Sequence, residues 1–214
     1  GRGLGGALAA SFEQEAARRG LADVRTSALW REHSLLAFLD RAGFGLAPVH
    51  VLERPVPAGG ESADDAQARD AFELTVLEEK DIEGAARIDR RHTGRDRRGY
   101  LCRALREALG DSAVRVSLAA RVDGGIAGYL MARVDYGDYG RAEPAAVIDT
   151  VGVDPLRARQ GIGRALLAQL LMNLAGLGVE KVETLVEPGR LELLGFFHRA
   201  GFGPSERLAF LKRL

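Results

Sequence analysis

The 214-residue sequence predicts an α/β (α+β) fold, on three observations. From Phe72 onward the hydrophobic runs follow the order strand, two helices, three strands, helix, strand, helix, strand. An Asp123-Gly124-Gly125 tract between two apolar runs marks an antiparallel hairpin. FLDRAGF (Phe38 to Phe44) and FFHRAGF (Phe196 to Phe202) share five of seven residues, each downstream of a glycine-rich helix start. Aligning Gly5 with Gly161 gives a spacing of 156, and Gly43 with Gly201 gives 158. So long a period indicates tandem domains rather than a solenoid. The expected plan is the second half of one domain over residues 1–54, a linker over 55–71 and a complete copy over 72–214.

Taken in order, residues 2–19 read as a helix with Leu4, Leu8, Phe12 and Ala16 on one face, stopped at Gly20. A strand is expected near Val24 to Ser27, a helix from about Trp30 to Ala42, and a strand from Val49 to Glu53. Glu53 to Ala71 carries prolines, paired glycines and acids but few large apolar side chains, which suits a linker. Phe72 to Leu77 is strand-like, and Asp81 is placed to cap a helix bearing Ile82, Ala86 and Ile88. A second helix spans Arg97 to Leu109. Strands follow at Val114 to Arg121, Ile126 to Val134 and Ala146 to Val153, with a loop from Asp135 to Pro144. The remainder reads as a helix from Gly161 to Leu177, a strand from Val179 to Val186, a helix from Leu191 to Ala200 and a last strand from Leu208 to Lys212.

A zero formal net charge gives no pull toward nucleic acid. The most apolar stretch, Ala165 to Val179, is shorter than the roughly 20 residues a bilayer needs and holds Gln169 and Asn173, so no membrane span is expected. The single cysteine, Cys102, forbids an internal disulfide and suits a reducing, cytoplasmic compartment. The four histidines lack metal-ligand spacing, so no metal is expected. The chain opens on Gly1 without methionine, as a fragment would.

VGVDPLRARQGIGRALL, followed by a strand, a short helix and R-A-G-F, resembles the GNAT superfamily of acyl-CoA-dependent N-acetyltransferases. The resemblance covers Phe72 to Leu214 and, for its second half, residues 1–54 again. It implies a mixed, mostly antiparallel sheet flanked by helices, acetyl-CoA as co-substrate and transfer of acetyl to a primary amine. That amine belongs to a small molecule, a peptide or a protein; a homodimer is among the compatible assemblies. It further implies that strands 146–153 and 179–186 run parallel and splay apart. The pantetheine arm would then pair with backbone at Val151, Gly152 and Val153, with an N–H near Val151 facing the thioester oxygen. The pyrophosphate would lie on Arg159, Gln160, Gly161, Ile162, Gly163 and Arg164. There a helix N-terminus offers unpaired amides and glycines allow close approach.

Family members carry Arg or Gln three residues before the first glycine, where this chain has Ala158; the first copy is expected to keep that pattern, as Arg2, Gly5 and Ala7. Phe197 and Leu39 stand where many members place a tyrosine acid, Arg190 where an asparagine is expected, and Leu185 where one branch has a glutamate base. Asp149 is then the best base, since alternation would put Val147, Asp149 and Val151 on one face. Glu183 and Glu187 are weaker candidates, and His198 and Cys102 are expected to be non-catalytic. Arg87, Arg90, Arg91, Arg95, Arg97 and Arg98, with Asp135, Tyr136, Asp138 and Tyr139, border the amine site in the family. The alternative reading is a non-catalytic acyl-CoA sensor or interaction module.

Overall fold

The computed structural model describes residues 3–57, 62–110, 116–135 and 144–214. In chain order they form α1 (Leu4–Arg18), β1 (Asp23–Leu29), α2 (His33–Arg41), β2 (Gly45–Leu46), β3 (His50–Pro55), α3 (Ala63–Asp70) and β4 (Glu73–Val76). These are followed by α4 (Ile82–Thr93), α5 (Arg98–Gly110), β5 (Leu118–Val122), β6 (Gly125–Asp135) and β7 (Ala145–Val153). The last are α6 (Ile162–Gly176), β8 (Lys181–Val186), α7 (Leu191–Arg199), β9 (Gly203–Pro204) and β10 (Arg207–Arg213). The chain divides into two compact units, Gly1–Leu52 with Leu185–Leu214, and Glu53–Thr184.

In the first unit β10 lies between β1 and β2, antiparallel to both, with Asp23 opposite Arg213 and Leu46 opposite Phe210. Ala28, Leu39 and Phe210 form its buried cluster, supported by Leu36, Phe38 and Phe44. Phe197 is buried on α7, edge-on to Phe196 and Phe202. The Lys212 ammonium donates to Glu13 at 2.7 Å and to the Ala42 carbonyl at 2.6 Å. Those contacts tie β10 to α1 and to the end of α2.

The repeat keeps one spacing throughout. The residue capping the start of α1 is Gly3, at φ 70°, and its counterpart at α6 is Gly161, at φ 90°. Such left-handed backbone is strained for any residue with a Cβ. Gly20 and Gly178, and Gly43 and Gly201, match at the same 158-residue interval. The alignment of Gly5 with Gly161 is therefore corrected: Gly3 is the equivalent residue. Arg2 then falls opposite Gln160 and is not the residue three places before the first glycine.

The helices α1 and α6 differ in burial. Leu8 is 76% exposed and Phe12 60%, whereas Leu166 and Leu170, 158 residues later, are fully buried. Of the face expected on α1 only Ala16 is buried. Amphipathic spacing alone does not supply a covering layer. α6 acquires one from β5, β6 and β7, which α1 lacks among the described residues.

In the second unit the strand order is β4-β5-β6-β7-β8, with the end of β3 beyond β8. The β4-β5, β5-β6 and β6-β7 pairs are antiparallel, and β7-β8 is parallel. This is the mixed, mostly antiparallel sheet flanked by helices that the sequence predicts. The β5-β6 hairpin turns on Asp123 and Gly124, both at positive φ, as a two-residue type I′ turn requires. One face of the sheet buries Tyr129 and Met131 against Ile82, Ala85 and Ile88 of α4 and Leu101 and Leu105 of α5. The helix α6 covers the other.

Two local expectations are corrected. The segment expected as a linker contains α3, capped by the Ser62 hydroxyl on the Asp65 N–H, and α3 packs against α6. Asp81 does precede α4, but its carboxylate accepts from the Glu78 N–H at 3.0 Å and pairs with Arg121 at 2.8 Å instead of capping the helix amides. The loop residues Tyr136, Asp138 and Tyr139 lie outside the described residues.

Candidate functional site

The ladder between β7 and β8 runs from Ala145 opposite Lys181 to Ile148 opposite Thr184 and stops there. The Thr184 hydroxyl donates to the Ile148 carbonyl at 3.1 Å, closing the ladder with a side chain. On its other side β7 stays paired with β6 to its end, Val153 opposite Gly128. The Asp154 N–H reaches back across β6 to the Ala127 carbonyl at 2.8 Å. Peptide groups alternate along a strand, so those of Val151 and Val153 point away from β6. From Asp149 to Val153, β7 thus presents an edge with no ladder partner among the described residues.

A bulge precedes this edge. Met131 faces Thr150 and Ala132 faces Ile148, which leaves Asp149 as the extra residue on β7. The expected alternation of Val147, Asp149 and Val151 on one face is therefore corrected. Val151 pairs with Leu130, while Thr150 and Gly152 pair with Met131 and Tyr129 on the side of α4. A Cβ at Gly152 would lie 2.7 Å from Tyr129 Cε1 and 3.2 Å from Ile88 Cγ2, so only glycine fits beneath that ring. Tyr129 is fixed in turn: its hydroxyl donates to Asp89 at 3.2 Å, and Arg97 approaches the same carboxylate at 3.4 Å. Burial pushes the Tyr129 hydroxyl well above the usual phenol range, and the Asp89 charge adds to this.

After Val153 the Asp154 carboxylate accepts from the Leu156 N–H at 3.1 Å and holds Arg91 at 2.6 Å. Arg159 has φ 62°, an uncommon conformation for a residue with a side chain, and Gly161 follows at 90°. Both αL residues turn the chain sharply into α6, whose buried Ile162 anchors the turn. The first amides of the helix, from Ile162 to Arg164, have no carbonyl a turn earlier to receive them. Arg159, Gln160 and Gly161 are exposed beside them, and Gly163 is half-buried.

The Arg164 side chain is less available than its position suggested. It donates to Asp65 at 3.0 Å and lies 3.6 Å from Asp64, both on α3. Burial works against it, yet the Ser62 hydroxyl and Arg164 hold the Asp65 carboxyl below the usual carboxylate range.

Asp149 is ion-paired with Arg133, which also lies 3.8 Å from Asp135. Burial raises the Asp149 carboxyl above the usual range, and the guanidinium opposes that rise. Glu183 is buried with Lys181 at 3.1 Å, and Lys181 reaches Glu53 at 3.5 Å. Glu187 is 3.9 Å from Arg190, and His198 is exposed on α7. Cys102 is a half-buried free thiol on α5. The arginine cluster is partly structural: Arg91 pairs with Asp154, Arg97 with Asp89 and Arg98 with Glu83.

Sequence reasoning missed three participants. Arg133 and Tyr129 look like ordinary strand residues until the bulge and the register bring them to Asp149 and Gly152. His92, on the last turn of α4, places its Nε2 2.6 Å from the Val153 carbonyl oxygen. No motif around it signals that contact. Among the described residues no group of three or more His, Cys, Asp or Glu side chains is placed to hold a metal, and no helix is long and apolar enough to cross a membrane.

Comparison with known proteins matches the model of the acetyltransferase (GNAT) family to residues 68–202. A mycothiol acetyltransferase of Clavibacter sepedonicus is 34% identical over 186 residues, covering 87% of this chain and 55% of that protein. The Clavibacter michiganensis subsp. michiganensis protein of the same name is 33% identical over 162 residues, covering 76% of this chain and 48% of its own length. The chain thus spans about half the length of these curated relatives. Among solved structures, a tandem GNAT protein from the clavulanic acid biosynthesis pathway aligns with 99% of the chain and 70% of its own. Its TM-score is 0.62 at 16% identity, a likeness of fold.

Proposed function

The chain belongs to the acetyltransferase (GNAT) family, and on that footing we propose that it transfers acetyl from acetyl-CoA to a primary amine by direct attack. The observation that carries the reading is the parallel ladder that ends at Ile148 and Thr184, leaving the outer edge of β7 open beside the Gly161 turn. An extended pantetheine arm can add to the peptide groups of Val151 and Val153 that point away from β6, as a strand adds to a sheet edge. The pyrophosphate fits the first amides of α6, with Arg159 as the nearby cation that has no acidic partner among the described residues. Acetyl-CoA supplies the thioester carbonyl.

The protein's contribution is then placement and charge. The Val151 N–H is the donor we assign to the thioester oxygen, where negative charge develops during attack. Asp149, steered by Arg133 on the bulge two residues before, is assigned to take the amine's proton directly or through water. Gly152, opposite Tyr129 on the neighbouring strand, lets that ring pack directly on β7. The relatives' name makes a mycothiol-type acceptor the first amine to test.

Thermal unfolding in millimolar CoA is expected to move upward by several degrees, since a ligand at ~100 times its Kd stabilises by about 2.7 kcal/mol. An unmoved midpoint in a folded protein removes the co-substrate reading. A sensor that binds acyl-CoA without turnover is the second reading, favoured by the buried Phe197 in place of a tyrosine acid. Thiol release from acetyl-CoA with a panel of amines separates the two. Transfer requires amine-dependent thiol, and binding without release supports the sensor.

A further inference from the structure

The edge of β7 that receives the pantetheine arm in the reading above is already partly engaged. The peptide of Val153 points away from β6, because its neighbour Asp154 donates inward to Ala127. Its carbonyl oxygen is therefore one of the acceptors an added strand would use. His92 Nε2 lies 2.6 Å from that oxygen. A carbonyl cannot donate, so Nε2 carries the hydrogen and the imidazole does what an incoming amide N–H would do. Its neighbour Arg91 ties α4 to the chain just after β7 independently of this bond, holding Asp154 at 2.6 Å. His92 itself is exposed on the last turn of α4, within reach of an incoming ligand.

We propose that His92 is a ligand-edge residue that occupies the Val153 carbonyl in the ligand-free protein and is displaced by the arm of acyl-CoA. It is a binding determinant, two residues along the strand from the Val151 amide assigned to the reacting carbonyl. The inference rests on the acyl-CoA reading and adds a residue that opposes the arm while leaving the nucleotide end alone. Removing the imidazole frees the acceptor in advance, and the ligand no longer trades one hydrogen bond for another.

The test is calorimetric titration of the whole chain with two ligands, CoA and the bisphosphorylated adenosine nucleotide that lacks the pantetheine arm. His92→Ala is expected to tighten CoA binding about three- to tenfold, the range of one exchanged hydrogen bond. Nucleotide affinity should be unchanged. His92→Gln, which restores an N–H donor on a flexible side chain, should return CoA affinity toward the wild-type value. Unchanged or weaker CoA binding by His92→Ala, with nucleotide binding intact, overturns the proposal. A wild-type chain that binds neither ligand overturns the acyl-CoA reading itself, and this inference with it.

Discussion

Replacing Asp81 by alanine is expected to destabilise the protein by about 3–5 kcal/mol, the cost of stripping one partner from a buried ion pair. The Asp81 carboxylate is buried, and both of its oxygens accept from Arg121 Nη2, at 2.8 and 3.0 Å. One of them also receives the Glu78 N–H, so the substitution leaves a guanidinium and an amide without their acceptor. Arg121 keeps the Thr75 hydroxyl, at 3.1 Å. For a chain of this size the loss corresponds to a fall of roughly 10 °C in the unfolding midpoint. Asp81→Asn, which can still accept from Glu78, should lose less. Removing both charges with Asp81→Leu and Arg121→Met should recover most of the loss, because paired buried charges contribute little beyond apolar packing. Urea unfolding of the single and double variants checks all three. A single Asp81→Ala variant with an unchanged midpoint shows that the pair does not hold α4 to β5.

Replacing Val151 by proline is expected to lower acetyl-transfer activity by roughly 10²–10³-fold, the scale for loss of one donor at a developing oxyanion. Proline removes a backbone N–H and nothing else polar. At most positions in a sheet that would break a ladder. At Val151 the N–H points away from β6 and β8 has already left the ladder, so no sheet bond is lost. The residue before it, Thr150, is extended as a residue preceding proline prefers. The unfolding midpoint should therefore move by only a few degrees while kcat falls. Full activity in a Val151→Pro protein excludes that amide as the donor. A large loss of stability instead shows that the edge of β7 is paired in solution.

Much of the fold was legible because its signals are local. The Asp123-Gly124 turn dictates its hairpin through two positive-φ positions, and the apolar periodicity of α6 follows from 3.6 residues per turn. The open edge of β7 beside the glycine turn was legible for a related reason: the turn into α6 and the strand before it are contiguous in sequence. The surroundings of Asp149 were less so. Asp149 could be named as a strand carboxylate, but its face rested on unbroken alternation, and one extra residue in the ladder overturned that. The partner Arg133 and the imidazole of His92 come from neighbouring elements, and their distance in sequence carries no spacing to read.

The sequence by itself determined the class of fold, the recurrence of the R-A-G-F pattern, and a glycine turn into α6, since each is written in short-range pattern and composition. Tertiary structure alone decided that Gly3 rather than Gly5 matches Gly161, that Arg164 is held by α3, and that the stripe on α1 is exposed while its twin on α6 is buried. The physical reason is common to all three. Backbone handedness, ion pairing and burial depend on what lies across space from a residue, and periodicity along one element does not specify its neighbour.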